Sequence, residues 1–183
     1  MNWKNTHDHY GSLPIAMHWL MLLLLIGVYA AINLHDLAPK GSDMRASLKL
    51  WHFALGICVL ALVALRLLAR LLSGPAPGIT PALPRWQQRL GTAMHIALYV
   101  FMLSMPVLGW LVLSAKGDPV SLLGLQLPAL LGQDKPLSRS LKEIHETIGT
   151  IGYALIGLHA AAAIAHHYLM HDNTLLRMLP ARR

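Results

Sequence analysis

Histidine is the residue type whose number and spacing in this chain point most clearly to chemistry. Eleven histidines occur in 183 residues, and several lie in long apolar stretches, where an ionisable side chain usually has a function. His145 and His159 are 14 residues apart in one such stretch. In a helix this spacing puts both rings on one face, within about 40°, with about 21 Å of rise between them. The spacing predicts two separate sites along one helix.

Two further histidines lie at depths that match this pair. His18 and His52 each lie near the beginning of an apolar stretch. If the helices run up and down, His18 is level with His159, and His52 is level with His145. Two imidazoles on facing helices supply the two axial ligands of a haem iron. We therefore predict two haems, each bound by one of these pairs.

Glycines support the pair formed by His52 and His145. Gly56 and Gly149 each follow one of these histidines by four residues, and a missing side chain there lets a flat ring lie against the helix. A packed or interfacial role is the alternative for any single histidine. Zinc is a weaker alternative for the whole set, because it needs three or four ligands at one depth.

Four apolar stretches are long enough to position these histidines inside a membrane. The chain is 55% hydrophobic and 13% charged, whereas a soluble domain is about 25% charged. About 20 apolar residues cross a hydrocarbon core of about 30 Å. We predict spans near residues 14–33, 51–72, 90–113 and 145–169. Because every connection is short, the prediction is an all-α, integral membrane, antiparallel four-helix bundle that forms one domain over residues 1–183.

Other features exclude further classes of protein. The single cysteine, Cys58, cannot form a disulfide framework or an iron–sulfur or zinc-thiolate site within this chain. The net charge of +7 comes without a basic tract interleaved with aromatic residues, so we predict no binding of nucleic acid. Residues 119–131 are apolar but too short to cross, and no strand-like alternation is evident. This segment is predicted to lie at the membrane interface.

The positive charges predict an orientation in the membrane. With the N-terminus inside, eight of the fifteen Lys and Arg residues lie on the cytoplasmic side and seven lie outside. The positive-inside rule then predicts that both termini are cytoplasmic. His7 and His9 precede the first span, where they belong to a solvated segment or to an adventitious metal site.

Several motifs resemble those of the prokaryotic cytochrome b561 family, and the resemblance covers essentially the whole chain. They are Ile15–Trp19, Lys49–His52, Lys142–Thr147, Gly157–Ala163 with His166 and His167, and the tail Asp172–Pro180. The resemblance implies a bundle in the bacterial inner membrane that holds two b-type haems. Carried over residue by residue, it places the axial ligands at the same four histidines: His18, His52, His145 and His159. The tail implies the branch that oxidises superoxide and reduces ubiquinone, with no obligatory protein partner.

Two lysines and one further histidine are candidates for the reaction that this resemblance implies. Lys49 and Lys142 each precede a predicted ligand by three residues, close to a helix N-terminus, where a cation is unfavourable without an anionic neighbour. A haem propionate or incoming superoxide would be that anion, and snorkelling to water is the alternative. His95 is a candidate for a quinone or proton site, and so are His166, His167 and Arg70, which are predicted near the inner side of the membrane. Hydrogen bonding to the backbone and interfacial anchoring are the alternatives for these four.

Two other functions fit the same sequence pattern. A cytochrome b relay or anchor subunit would pass electrons from a partner dehydrogenase or hydrogenase to quinone, with no substrate site of its own. A small membrane protein without haem, such as a transporter, would use the histidines for another purpose. Superoxide consumption distinguishes the first alternative, and absorbance of visible light distinguishes the second.

Overall fold

Four long helices make up most of the computed structural model, which describes residues 3–6, 9–118, 120–122 and 125–179. They are α1 (Ser12–Leu37), α2 (Asp43–Leu72), α3 (Arg85–Lys116) and α4 (Lys135–Tyr168). Each is long and apolar enough to cross a membrane. Even α1, with 26 residues, extends about 39 Å at about 1.5 Å per residue. The prediction of an all-α protein with four membrane-spanning helices is confirmed.

The helices extend beyond the apolar spans, because polar side chains cap them outside the hydrocarbon region. Ser42 Oγ accepts a hydrogen bond from the Arg45 N–H at 3.2 Å just before α2. Asp134 Oδ1 accepts one from the Leu137 N–H at 2.9 Å just before α4. Such caps satisfy the free N–H groups of a first turn. Hydropathy therefore marks the part of a helix that meets lipid, whereas capping decides where the helix begins.

A short antiparallel hairpin follows α3, where the sequence indicated no strand. Strand β1 (Val120–Leu122) pairs with β2 (Leu125–Leu127), and Ser121 lies opposite Gln126. The expectation of no strand was wrong because three-residue strands are too short to show an alternating pattern. Pro119, Leu123 and Gly124, which belong to the predicted interfacial segment, lie outside the described residues.

The return from this hairpin is hydrogen-bonded to α3. Trp110 Nε1 donates to the Pro128 carbonyl at 3.0 Å, and the Leu130 N–H donates to Ser114 Oγ at 3.1 Å. Polar groups of this connection are therefore satisfied by side chains of a membrane-spanning helix.

The chain divides into two compact units, and each takes a part of all four helices. The first, here called the terminal unit, comprises Met1–Leu20, Ala64–Val100 and Ile151–Arg183. The second, here called the hairpin unit, comprises Met21–Val63 and Phe101–Thr150. The single domain over residues 1–183 stays a prediction.

Hydrogen bonds between distant segments close one end of the terminal unit. The Asn173 N–H donates a hydrogen bond to the Thr80 carbonyl at 3.1 Å, and Asn173 Oδ1 accepts one from the Thr80 N–H at 2.9 Å. Trp19 Nε1 donates to the Met178 carbonyl at 2.7 Å. The buried Arg177 donates to the Pro77 carbonyl and lies over the Tyr10 ring. These contacts fix the part of α1 that carries His18 to the C-terminal tail.

Candidate metal centres

In the hairpin unit, His52 of α2 faces His145 of α4. Their ring centres are 6.2 Å apart and the ring planes make an angle of 79°. His52 Nδ1 lies 3.1 Å from the Val28 carbonyl oxygen. Because a carbonyl only accepts, Nδ1 carries the imidazole proton and Nε2 keeps a free lone pair. Histidines that bind metals are commonly oriented by this kind of hydrogen bond.

The ring of His145 fits closely against α3. Its Nδ1 is buried beside the Met105 carbonyl, without the geometry of a hydrogen bond. A Cβ added at Gly109 would lie 3.4 Å from His145 Cε1. Gly109 therefore admits the imidazole where a larger residue would crowd it. The sequence reasoning missed Gly109, and the available signal was a glycine among the larger apolar residues of α3.

The two glycines predicted to face a cofactor have different surroundings. A Cβ added at Gly56 would meet no atom within 4 Å, so space is open beside α2 one turn after His52. A Cβ at Gly149 would lie 3.5 Å from Met105 Cε, an ordinary van der Waals contact. Gly56 thus leaves room for a flat group, whereas Gly149 faces the methionine side chain.

In the terminal unit, His18 of α1 faces His159 of α4, and a third histidine lies close to them. The ring centres of His18 and His159 are 6.2 Å apart, at an interplanar angle of 64°. The His95 ring of α3 lies 5.5 Å from that of His159. The four predicted ligands are therefore brought together as two pairs, and His95 is added to one of them.

Two arginines of α2 distinguish this second site. Arg66 Nη2 lies 3.3 Å from His18 Nδ1, as donor to a ring nitrogen that accepts. The Cζ atoms of Arg66 and Arg70 each lie 6.0 Å from the centre of the Tyr99 ring. An arginine in a membrane-spanning helix usually marks a functional site. The sequence reasoning named Arg70 and did not include Arg66 in the site.

Both ring pairs fit a metal bound between two imidazoles. Bonds of about 2 Å on each side, with about 1 Å from each nitrogen to its ring centre, give about 6 Å between the centres. The observed distance is 6.2 Å in both pairs. Among the described residues, no three His, Cys, Asp or Glu side chains form a group that could hold an ion by themselves. A donor set of two nitrogens fits a haem iron, because the porphyrin provides the other four ligands.

The two candidate lysines both have carboxylate neighbours. Lys49 Nζ lies 4.0 Å from Asp118 Oδ2 and 5.8 Å from the centre of the Phe53 ring. Lys142 Nζ lies 2.9 Å from Glu146 Oε1, and both side chains are exposed. Carboxylates therefore balance part of each charge. The role of these lysines toward superoxide or a propionate stays a prediction.

Lys49 also lines a cavity that the sequence did not indicate. The cavity has a volume of about 280 Å³, and its walls include His35, Arg45 and Lys49 together with one acidic residue, Asp43. Arg45 Nη1 donates to the carbonyls of His35 and Ala38, both at 2.9 Å. These hydrogen bonds hold the guanidinium at the wall of the cavity. Arg45 lies in the first turn of α2, whereas Lys49 is the seventh residue of α2 and Lys142 the eighth of α4. The expectation that these lysines lie close to a helix N-terminus was wrong, because the capped helices begin before the apolar stretches.

The histidines at the end of α4 contact local partners. His166 Nδ1 lies 2.5 Å from Asp172 Oδ2, and this carboxylate is buried. Burial opposes ionisation of Asp172, yet hydrogen bonds from Thr174 and His166 hold its pKa below its ordinary value. The rings of His167 and Tyr168 pack edge to face, with their centres 4.7 Å apart. His7 lies outside the described residues.

Known proteins resemble the chain along almost its whole length. A model of the prokaryotic cytochrome b561 family matches residues 9–181. The chain is 37% identical to cytochrome b561 homolog 1 of Escherichia coli strain K12, over 96% of this chain and 99% of that protein. It is 36% identical to the probable superoxide oxidase CybB of Yersinia pestis, over 97% of this chain and 99% of that protein. Cytochrome b561 homolog 2 of E. coli is 28% identical, over 98% of this chain and 95% of that protein.

Proposed function

The chain belongs to the prokaryotic cytochrome b561 family, and we propose that it is a superoxide oxidase that passes electrons to ubiquinone through two b-type haems. Family membership establishes b-type haem binding and electron transfer in a membrane. The observation that carries the two-haem proposal is that each unit contains two facing histidines. In both pairs the ring centres are 6.2 Å apart. The similar Yersinia protein named a probable superoxide oxidase supports superoxide as the electron donor.

The four paired histidines are the residues that would hold the haem irons. His52 and His145 would hold one haem, and His18 and His159 the other. A bound haem supplies one-electron redox chemistry. The chain orients its ligands: the Val28 carbonyl fixes the tautomer of His52, and Gly109 admits the ring of His145. These contacts reduce the ordering that the ligands must undergo on binding.

The hairpin unit is the proposed site of superoxide oxidation. Each superoxide ion loses one electron and leaves as oxygen, and two such electrons with two protons reduce ubiquinone to ubiquinol. Positive side chains raise the local concentration of an incoming anion. Arg45 and Lys49 line one cavity, in which they outnumber the single acidic residue, Asp43, and Lys142 lies three residues before His145. These three side chains are the proposed attractors of superoxide.

The terminal unit is the proposed site of quinone reduction. His95 is exposed and its ring lies 5.5 Å from that of His159. An imidazole donates and accepts protons near neutral pH, which the reduction of a quinone requires. We assign His95 the role of hydrogen-bonding a quinone and passing protons to it. His166, oriented by the Asp172 carboxylate, is a second candidate.

The same proposal includes the place of the protein in the cell. It is a multi-pass membrane protein, and we propose the bacterial inner membrane with both termini in the cytoplasm. No obligatory protein partner is proposed. Superoxide and quinone would be the partners of the isolated chain, together with the surrounding lipid.

One experiment on the purified protein tests these proposals together. Protein in detergent receives a flux of superoxide with excess ubiquinone, while haem content, haem reduction and quinol are measured. We expect two haems per chain and quinol formation that superoxide dismutase abolishes. Two haems that dithionite reduces but superoxide does not would favour a relay subunit. Colourless protein would contradict the haem assignment altogether.

A further inference from the structure

Among the residues that the structure describes, no carboxylate pairs with the arginines of α2 in the terminal unit. Arg66 lies six residues, about 9 Å of helix rise, before the end of α2. Within the described part of the terminal unit, Asp172 is the only acidic side chain, and it contacts His166. No ion pair of Arg66 or Arg70 occurs among the described residues. A positive charge in a membrane-spanning helix is costly without an anion.

The positions of the two arginines fit two anionic groups on one ligand. Arg66 and Arg70 are one helical turn apart, so their side chains lie on one face of α2. Both guanidinium groups lie 6.0 Å from the Tyr99 ring centre, and Arg66 also reaches His18. The two cations therefore extend from His18 toward the end of α2. A haem carries two propionate carboxylates, and a guanidinium binds a carboxylate with two parallel hydrogen bonds.

Binding of iron to His18 must end its present contact with Arg66. His18 Nδ1 accepts the hydrogen bond from Arg66, so the proton of the neutral ring is on Nε2. If Nε2 binds iron, the proton moves to Nδ1, which then cannot accept. If Nδ1 binds iron, its lone pair is used. In either case the Arg66 guanidinium is released beside the new ligand and needs another acceptor.

We propose that Arg66 and Arg70 bind the propionate carboxylates of the haem held by His18 and His159. This inference rests on the proposed two-haem function. Positive charge beside the iron favours its reduced form, so the arginines raise the reduction potential of this haem. They are positioning and tuning residues, and electron transfer itself needs no bond to them. Charge, geometry and the change of partner at His18 all support the same assignment.

Redox titration of the purified holoprotein tests the effect on potential. The variants are Arg66→Gln, Arg70→Gln and the double variant, with Arg85→Gln as a matched control for loss of an exposed arginine near the end of the span. We expect the double variant to lower the midpoint potential of one haem and to leave the other unchanged. Arg85→Gln should shift neither. Two bound haems with unchanged potentials in the double variant would overturn the inference and leave the proposed function standing.

A chemical change in the haem itself tests the contact between the arginines and the propionates without relying on the variants. Apoprotein is titrated with iron protoporphyrin and with its dimethyl ester, which lacks the two negative charges. We expect wild-type protein to bind the ester at least about tenfold more weakly in the terminal unit, as one lost charge-assisted hydrogen bond implies. Arg66→Lys keeps the charge and should retain part of this preference.

The outcomes of the two experiments separate the possible failures. Equal affinity of wild-type protein for the acid and the ester would overturn the inference even if the glutamine variants lose haem. The inference would also be overturned if the double variant still bound haem and preferred iron protoporphyrin to its dimethyl ester as strongly as the wild type does. Fewer than two haems in the wild-type holoprotein would instead contradict the proposed function on which the inference rests.

Discussion

His52 in the hairpin unit and His18 in the terminal unit each face a partner ring at 6.2 Å, yet their Nδ1 atoms have opposite hydrogen-bonding roles. His52 Nδ1 donates to the Val28 carbonyl, whereas His18 Nδ1 accepts from Arg66. A carbonyl acceptor makes an imidazole a more basic ligand and favours oxidised iron. A neighbouring guanidinium favours reduced iron. If each pair holds a haem, as proposed, the same pair of residue types would provide two different redox environments.

The acidic residues are also divided unevenly between the two units, and this too favours reduced iron in the terminal unit. Six of the eight Asp and Glu residues belong to the hairpin unit, where Asp118 and Glu146 neutralise part of the charge of Lys49 and Lys142. The described part of the terminal unit has Asp172 alone against several arginines. We therefore expect the haem of the terminal unit to have the higher reduction potential. Electrons from superoxide would then pass downhill toward the quinone.

Removing a ligand should have the largest effect and should separate His18 from His95. We expect His18→Ala to halve the haem content, because one iron loses an axial ligand. His95→Ala should retain both haems and lower the rate of quinone reduction. Pyridine haemochrome assays and quinol formation measure the two effects. A full haem content in His18→Ala, or loss of a haem in His95→Ala, would reverse the assignment of ligands.

Crowding α3 should affect the hairpin unit alone. In Gly109→Leu, side-chain atoms would enter the space beside the His145 ring, where a Cβ alone already lies at 3.4 Å. Such overpacking costs about 1–3 kcal/mol, so we expect weaker haem binding in this unit. Haem titration of apoprotein measures the loss. Gly91→Leu is the control, because Gly91 lies on the same helix and a Cβ added there would meet no atom within 4 Å. Equal losses in the two variants would contradict a specific role of Gly109.

Neutralising the two lysines should slow the reaction with superoxide by up to about tenfold, as expected for electrostatic steering. Lys49→Gln together with Lys142→Gln should also weaken the dependence of the rate on ionic strength. Stopped-flow measurement of haem reduction at several salt concentrations tests this. Reduction by an uncharged donor serves as the control and should not change. An unchanged rate at low ionic strength would show that the carboxylates beside these lysines already cancel their field.

The smallest effect concerns Asp172 in the terminal unit. The pKa of Asp172 is lowered from its ordinary value of 3.8, so its ionised form stabilises the fold at pH values above 3.8. This contribution is lost as the pH falls through the lower value that the folded state has. We expect Asp172→Asn to reduce the free energy of unfolding by about 1 kcal/mol at neutral pH. Thermal unfolding in detergent should show that the difference disappears in strong acid.

Much of the fold and the pairing of the histidines could be predicted from the sequence, because both depend on local rules. Lipid requires long apolar helices, so hydropathy alone located four of them. A fixed turn of the helix put His145 and His159 on one face. The three-residue strands β1 and β2 were missed because their pattern is too short to recognise. The starts of α2 and α4 depend on caps outside the apolar stretches.

The sequence by itself determined that four histidines lie at two depths in a membrane bundle, since helix period and bilayer thickness fix those positions. Only the tertiary structure decided what surrounds each ring. Val28 is 24 residues from His52, and Arg66 is 48 residues from His18. No periodic pattern connects such residues, because a hydrogen bond depends on which side chains the packed helices bring within about 3 Å. For this reason the two facing pairs of histidines could be predicted from spacing, whereas their electrostatic surroundings could not.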